Sequence, residues 1–240
     1  MNTLLRNSLI AGAAFSTGLL TTGTAQAAQL APGLFDLFNG LVNQEKLEVP
    51  EGELEFNEID PEMLQVLSSD EPIEVFFINE GAFFLNELSY TADDGSSGVV
   101  FEEVSSTDSI LPEANGALDL GEGTDIGTFA QGTVLDFFIT PTNPSNGRTR
   151  DPIGTDAASN PNGLQHVIAK SIEIDGDVWT LLGFEDNTSS RSDRDFNDVV
   201  FVLKGVGEQP VGPEIPEPTT LLGLLGVAAL GATTLRRRDA

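Results

Sequence analysis

Ile172-Glu173-Ile174-Asp175-Gly176-Asp177-Val178 places alternating apolar and polar residues on both sides of an Asp-Gly pair. Asp-Gly accepts the positive φ angles of a two-residue turn, so the stretch reads as a tight β-hairpin. Its arms extend outward as His166–Ile174 (HVIAKSIEI) and Val178–Phe184 (VWTLLGF), and Val199–Leu203 (VVFVL) follows as a further strand. Upstream, Ile73–Asn79 (IEVFFIN), Phe83–Tyr90 (FFLNELSY), Val99–Val104 and Thr133–Thr140 (TVLDFFIT) have the same grammar: short β-branched and aromatic runs separated by Gly, Asn and Asp. Many short strands with no intervening helices argue for an all-β domain, a β-sandwich or jelly roll, rather than a βαβ fold. A short N-terminal helical segment precedes it. Leu34, Phe35, Leu37, Phe38, Leu41 and Val42 have helical spacing, and Asp60-Pro61 reads as an N-cap with proline at the first helical position. Pro141–Gly163 reads as a long polar loop carrying Arg148 and Arg150.

Between the last two strands lies the stretch richest in chemistry, Gly183-Phe184-Glu185-Asp186-Asn187-Thr188-Ser189-Ser190-Arg191-Ser192-Asp193-Arg194-Asp195-Phe196-Asn197-Asp198. Glu185, Asp186, Asp193, Asp195, Asn197 and Asp198 offer oxygen side chains around one loop. Calcium takes 6–8 oxygen ligands and tolerates irregular geometry. Asp193, Asp195 and Asn197 stand at alternate positions, which lets side chains converge on one ion, as in the opening half of an EF-hand loop. The EF-hand itself is excluded: its glycine position is Asp198, its twelfth position is Lys204, and strands rather than helices flank the loop. Two other readings stand beside calcium. Asp and Asn cap turns through their own backbone, with Arg191 and Arg194 neutralising Asp193 and Asp195, or a carboxylate pair performs catalysis. Asn79 with Glu80, and Asp93 with Asp94, read as solvated turn residues. Phe76, Phe77, Phe83, Phe84, Phe137, Phe138 and Trp179 read as core, and His166 as a packed strand residue.

Composition narrows the classes. The 240 residues hold 11 Lys+Arg, 38 Asp+Glu, one His and no Cys, for a formal net charge of −27. Such a chain does not bind a nucleic-acid backbone, and without Cys it has no disulfide, zinc-thiolate site or thiol nucleophile. A single His removes multi-histidine metal sites. Hydrophobic residues make up 40%, enough for a packed core.

Both ends read as export machinery. Residues 1–27 combine Arg6, an apolar stretch from Leu9 to Leu20 and Ala25-Gln26-Ala27, the layout of a signal peptide cut before Ala28. At the other end, Pro216-Glu217-Pro218 precedes a charge-free stretch, Thr219 to Leu235, closed by Arg236, Arg237 and Arg238. At ~1.5 Å per residue this C-terminal apolar helix sits at the lower limit for crossing the inner membrane, with the arginines on the cytoplasmic side. Setting aside the +1 of residues 1–27 and the +2 of residues 219–240 leaves −30 on residues 28–218, with seven basic side chains. Self-repulsion of that size favours bound cations. The organisation is thus a signal peptide (1–27), a helical or extended segment (28–71), a β domain (72–204), a Pro/Gly linker (205–218) and a sorting tail (216–240).

Two resemblances follow from these motifs. Pro-Glu-Pro, an apolar helix and an arginine cluster, in that order, resemble the PEP-CTERM sorting signal of Gram-negative bacteria. That resemblance implies recognition by an exosortase-type membrane enzyme and association with the outer surface, extracellular matrix and exopolysaccharide. The run G-F-E-D, a polar spacer and D-x-D-x-N-D-V-V-F resembles the closing motif of the domain of unknown function 4114 family. Phe76–Ala82 with Asn86, and His166 with Val167 and Ile168, resemble earlier blocks of that family, so the similarity spans roughly residues 72–204. Phe83-Phe84-Leu85 departs from the family, whose relatives more often carry a Gly and a Tyr there. The family brings no established activity.

The expectation is therefore an exported, non-enzymatic surface or matrix protein, stabilised by calcium and partnered by exopolysaccharide. Two alternatives differ in class. A secreted carbohydrate-active hydrolase requires a cleft holding two carboxylates of raised pKa, and no Gly-x-Ser-x-Gly, His-Glu-x-x-His or phosphate loop is present. A carbohydrate-binding adhesin module requires an exposed Trp or Tyr beside the loop, and the chain has one of each.

Overall fold

The computed structural model describes residues 28–42, 56–111, 116–190 and 192–208. The signal peptide and its Ala25 and Ala27, Arg191, and the tail with Pro216, Glu217, Pro218, Arg236, Arg237 and Arg238 lie outside the described residues. So does the apolar stretch 219–235, and no helix among the described residues is long and apolar enough to cross a membrane.

The Asp-Gly hairpin forms as its sequence dictates. Val167–Ile174 and Asp177–Phe184 pair antiparallel from Val167↔Phe184 to Ile174↔Asp177, and Asp175 and Gly176 take φ of 54° and 91°. The hairpin lies within a seven-stranded antiparallel sheet. In chain order the strands are β1 (Ala28–Gln29), β2 (Asn57–Ile59), β3 (Gln65–Val66), β4 (Glu74–Glu80), β5 (Leu85–Ala92), β6 (Ser97–Val104), β7 (Glu122–Asp125), β8 (Leu135–Thr142), β9 (Ile153–Gly154), β10 (Val167–Ile174), β11 (Asp177–Phe184), β12 (Val199–Lys204) and β13 (Val206–Gly207). The large sheet runs β1-β7-β4-β12-β11-β10-β2, a second sheet runs β6-β5-β8-β9, and β13 pairs with β3.

The two larger sheets face each other as a β-sandwich. Val75, Phe77, Leu182, Phe184, Val199 and Phe201 of one sheet meet Leu88, Tyr90, Phe101, Leu135, Phe137 and Ile139 of the other in a single core cluster. Phe201 is its pivot: its ring stacks on Phe101 across the sandwich at 5.9 Å and lies 6.0 Å from Phe77 and 6.2 Å from Phe184. A second core lies on the outer face of the large sheet, where helix α1 (Pro32–Val42) lays Phe38 and Val42 against Phe76, Ile78, Trp179, Leu181, Val200 and Val202. This helix explains the near-continuous apolar run of β4, because a strand covered on both faces has no polar side.

Three expectations change. Asp60 does cap, its side chain accepting from Glu62 N at 3.0 Å, but only a 3-10 turn follows, Pro61–Met63. Gln65 and Val66 instead join β13, a tertiary pairing that outcompetes local helix preference. Val206–Gly207, read in the sequence as the start of a linker, are therefore part of the fold, held further by the Thr180 hydroxyl donating to Val206 O at 2.6 Å. The segment 28–71 is equally integrated, since β1 and β2 form the two edges of the large sheet and Ala28 pairs with Gly123.

Truncating Phe201 to Ala removes the ring that joins both sheets. The expected loss is about 3–5 kcal/mol, read as a lower midpoint in urea denaturation; a change below about 1 kcal/mol contradicts this packing.

Candidate metal centre

The loop from β11 to β12 closes one end of the sandwich. Its two ends are fixed by strand pairing, Phe184 opposite Val199, and Gly81 N donates to Asp198 O at 3.0 Å, tying the loop to the end of β4. Within it, Arg194 and Phe196 have φ of 57° and 53°, a left-handed conformation at alternate positions that non-glycine residues adopt at a cost. The loop packs tightly on glycines: a Cβ on Gly183 would run into the Phe196 carbonyl oxygen, and one on Gly81 would lie 3.3 Å from Asn197 O and Oδ1.

This packing draws the acidic side chains inward. Oxygens of Glu185, Asp186 and Asp198 lie within 4.8 Å of one another, and oxygens of Glu185, Asp193 and Asp195 form a second such group, so Glu185 is common to both. Glu185, Asp186, Asp195 and Asn197 are buried and Asp193 is exposed. Hydrogen bonds to backbone organise the cluster. Asp186 N donates to Asp198 Oδ2 at 2.8 Å, Arg194 N to Glu185 Oε2 at 3.0 Å, and Asn187 N to Glu185 Oε1 at 3.3 Å. All six residues singled out in the sequence thus lie on this loop, and four carboxylates, Asp186, Asp198, Asp193 and Asp195, gather in two groups that share Glu185.

Two further residues belong to the site. Asn86, at the start of β5, is 1% exposed. Its Nδ2 donates to Asp186 Oδ2 at 3.1 Å and to Phe84 O at 3.2 Å, while its Oδ1 is buried without a partner. Glu80, at the end of β4, is fully buried rather than solvated. Its Oε1 accepts from Ser106 N at 3.1 Å and Ser109 Oγ at 2.9 Å, and its Oε2 has no partner. The sequence signal for Glu80 was its place at the end of a strand with no polar face. Asp93 and Asp94 stay in an exposed turn, Asp94 accepting from Ser96 N at 2.8 Å, away from the site.

Electrostatics follow from crowding. Burial pushes Asp198 up to about 10, with the Asp186 and Glu185 charges adding to it. Burial likewise lifts Asp186 to about 6, opposed by the Asn86 hydrogen bond and reinforced by the Glu185 charge. Glu80 rises to about 7 through burial, partly offset by its bonds from the Ser106 backbone and Ser109, and Glu185 is also raised by burial. The cluster therefore disfavours its own full ionisation, and the unpartnered Oδ1 of Asn86 lies buried beside it. A cation placed there meets donors of the hard-oxygen type.

The neighbouring groups do other work. His166, buried, has Nε2 3.1 Å from Asn162 Oδ1, and burial and the Arg194 charge hold its pKa below the ordinary value. Trp179 packs against Phe38 and Phe76 at 6.2 and 6.0 Å, and Tyr90 sits in the inter-sheet core. Neither offers the exposed ring that an adhesin site requires.

Comparison with known proteins agrees with the two resemblances. Residues 121–206 match the model of the Domain of unknown function (DUF4114), and residues 214–238 match the PEP-CTERM protein-sorting motif. No curated protein matches the chain. The sorting motif marks a protein exported across the inner membrane to the cell envelope or extracellular space and processed by the membrane enzyme exosortase. The domain match contains the whole β11–β12 loop, whereas Glu80 and Asn86 come from strands that precede it.

Two measurements check the geometry. Carboxyls whose folded pKa is raised hold protons that the unfolded chain has released. Their contribution is complete below about pH 4 and is lost as pH rises through about 6, 7 and 10. In chelator, the melting midpoint is therefore expected to fall between about pH 5 and pH 8, with a shallower slope in Glu80→Gln; a rising midpoint contradicts the burial. Gly183→Ala is expected to cost about 1–3 kcal/mol in urea denaturation by displacing Phe196.

Proposed function

We propose that this exported protein is a non-enzymatic component of the cell surface or extracellular matrix, whose sandwich is stabilised by calcium and which associates with exopolysaccharide. The observation that carries the metal assignment is the meeting of three carboxylates within 4.8 Å beside the unpartnered Oδ1 of Asn86. Glu185, Asp186 and Asp198, with Asn86 and the outer group of Asp193 and Asp195, supply the number and kind of oxygens calcium takes. Glu80 is a further buried carboxylate that feels the Asp186 charge. A divalent cation there offsets the burial, and the neighbouring carboxylate charges, that otherwise push Asp198 up to about 10. Magnesium, which demands near-octahedral geometry, fits an irregular loop of this kind less well.

The absence of a catalytic role is supported by shape. A hollow of about 510 Å³ among the described residues has Asp151 as its lining carboxylate and none of the raised ones. The cavity that Glu185 does reach is about 180 Å³.

A ligand that binds the folded form alone at about 100 times its Kd stabilises by ~2.7 kcal/mol. For a chain of this size that is roughly 5–10 °C in melting midpoint. The purified protein is expected to show such a rise between EDTA and millimolar calcium, larger at pH 8 than at pH 5 because binding requires ionised carboxylates. Asp198→Asn keeps an acceptor for Asp186 N and is expected to retain the metal-free midpoint while losing the calcium shift. Identical midpoints with and without calcium remove the metal.

A further inference from the structure

Seven basic side chains serve residues 28–218, which carry a net −30. The ion pairs among the described residues involve lysines: Lys170 with Glu58 at 3.7 Å and Lys204 with Asp177 at 3.0 Å. Arg148 and Arg150 join none. Both are exposed, and they stand two residues apart on the segment between β8 and β9.

That segment is pinned, not loose. Asn143 N donates to Arg148 O at 2.9 Å, Arg150 N to Pro141 O at 2.8 Å, and the hydroxyls of Thr142 and Thr149 meet at 3.1 Å. The Arg150 guanidinium lies 3.8 Å over the Phe84 ring, which orients it. Both arginines line the hollow of about 510 Å³, whose opposite wall, Asn187 to Ser189, continues directly from Glu185 and Asp186.

The hollow is rich in donors. Asn143, Asn146 and Asn187 line it, and each amide oxygen is already taken by a backbone N–H two residues on, from Ser145 at 2.9 Å, Arg148 at 3.0 Å and Ser189 at 3.1 Å. The three Nδ2 groups make no hydrogen bond among the described residues. Two arginines and three asparagines with uncommitted Nδ2 groups thus line one open space, with Asp151 among them. A ligand complementary to this wall carries negative charge and many acceptor oxygens. Guanidinium forks bind carboxylate or sulfate bidentately, and amide donors suit sugar hydroxyls and ring oxygens. No exposed aromatic lines the hollow, which disfavours a nucleobase ligand.

We propose that this hollow is a binding site for an acidic sugar residue of a glycan chain, with Arg148 and Arg150 taking the anionic group and Asn143, Asn146 and Asn187 the hydroxyls. The assignment rests on the matrix reading and gives it a contact surface; it does not require the metal. On a polyanion, the two arginines offset the Asp151 carboxylate on the rim and the Asp186 charge that Arg150 also feels, and salt is expected to weaken the binding of an anionic glycan.

Titration calorimetry of the full chain with trigalacturonate, a sulfated chondroitin tetrasaccharide and neutral maltotriose tests it, with and without calcium. At least one acidic glycan is expected to bind at least tenfold more tightly than maltotriose, and which one does so separates carboxylate from sulfate recognition. The double variant Arg148→Gln/Arg150→Gln is expected to lose at least tenfold in that affinity at an unchanged melting midpoint. Equal binding of acidic and neutral sugars, no binding of either acid, or wild-type affinity in the double variant overturns the proposal. A fall in the variant's midpoint shifts the decision to Arg148→Gln alone, which leaves the Phe84 contact in place and must still weaken binding. If the protein adheres to an acidic polysaccharide gel but the double variant adheres equally, the matrix reading stands and this hollow is not the contact. Tight binding through the arginines with no calcium shift leaves the hollow assigned and removes the metal.

Discussion

A backbone amide donating to a carboxylate twelve residues away, Asp186 N to Asp198 Oδ2 at 2.8 Å, holds the architecture of the site together. It closes the β11–β12 loop at its neck, so that everything between must fold back over the end of the sandwich. Gly183 and Gly81 allow that fold-back by leaving no side chain under Phe196 and Asn197. The consequence is electrostatic: carboxylates that would repel one another into solvent are pressed into contact. Burial of charge without a partner is costly, and the site answers with raised pKa values and with side-chain oxygens that have no donor.

The fold was largely legible because the hydrophobic period and the turn chemistry agree. Asp175-Gly176 fixed the register of β10 and β11, and the apolar run at 75–78 marked β4 as a strand. The short strands β1, β2, β3, β7, β9 and β13 and the extent of one helix escaped, and two cases show why. β7 (Glu122–Asp125) carries no apolar alternation, and it is a strand only because β4 and β1 pair with it on either side. The helix expected after Asp60 stops after one turn because β13 claims Gln65 and Val66. Both depend on partners far along the chain, which local pattern does not encode.

The candidate site was legible in part. The alternation of Asp193, Asp195 and Asn197 and the neighbouring Glu185-Asp186 mark one loop, and all lie there. Glu80 could not be read from composition, since a glutamate before a glycine ordinarily sits in water. Its burial comes from the Ser105–Ile110 segment folding over it, a contact between residues 26 and 29 positions apart. Arg148 and Arg150 were visible as rare cations in an acidic chain, but their shared hollow arises only when the β8–β9 segment and the acidic loop come side by side.

The rims of the two sheets are worth following into the crowded exterior to which the sorting motif delivers this protein. β1, β2 and β9 are two, three and two residues long, so three of the four rims offer few open amides to another chain. The fourth, β6, is eight residues long, but Glu102 and Glu103 stand exposed along it. A second copy approaching edge-on meets its own acid there, which is how natural sheets resist stacking into fibres. Such a molecule can accumulate to high local density outside the cell and remain a set of separate particles.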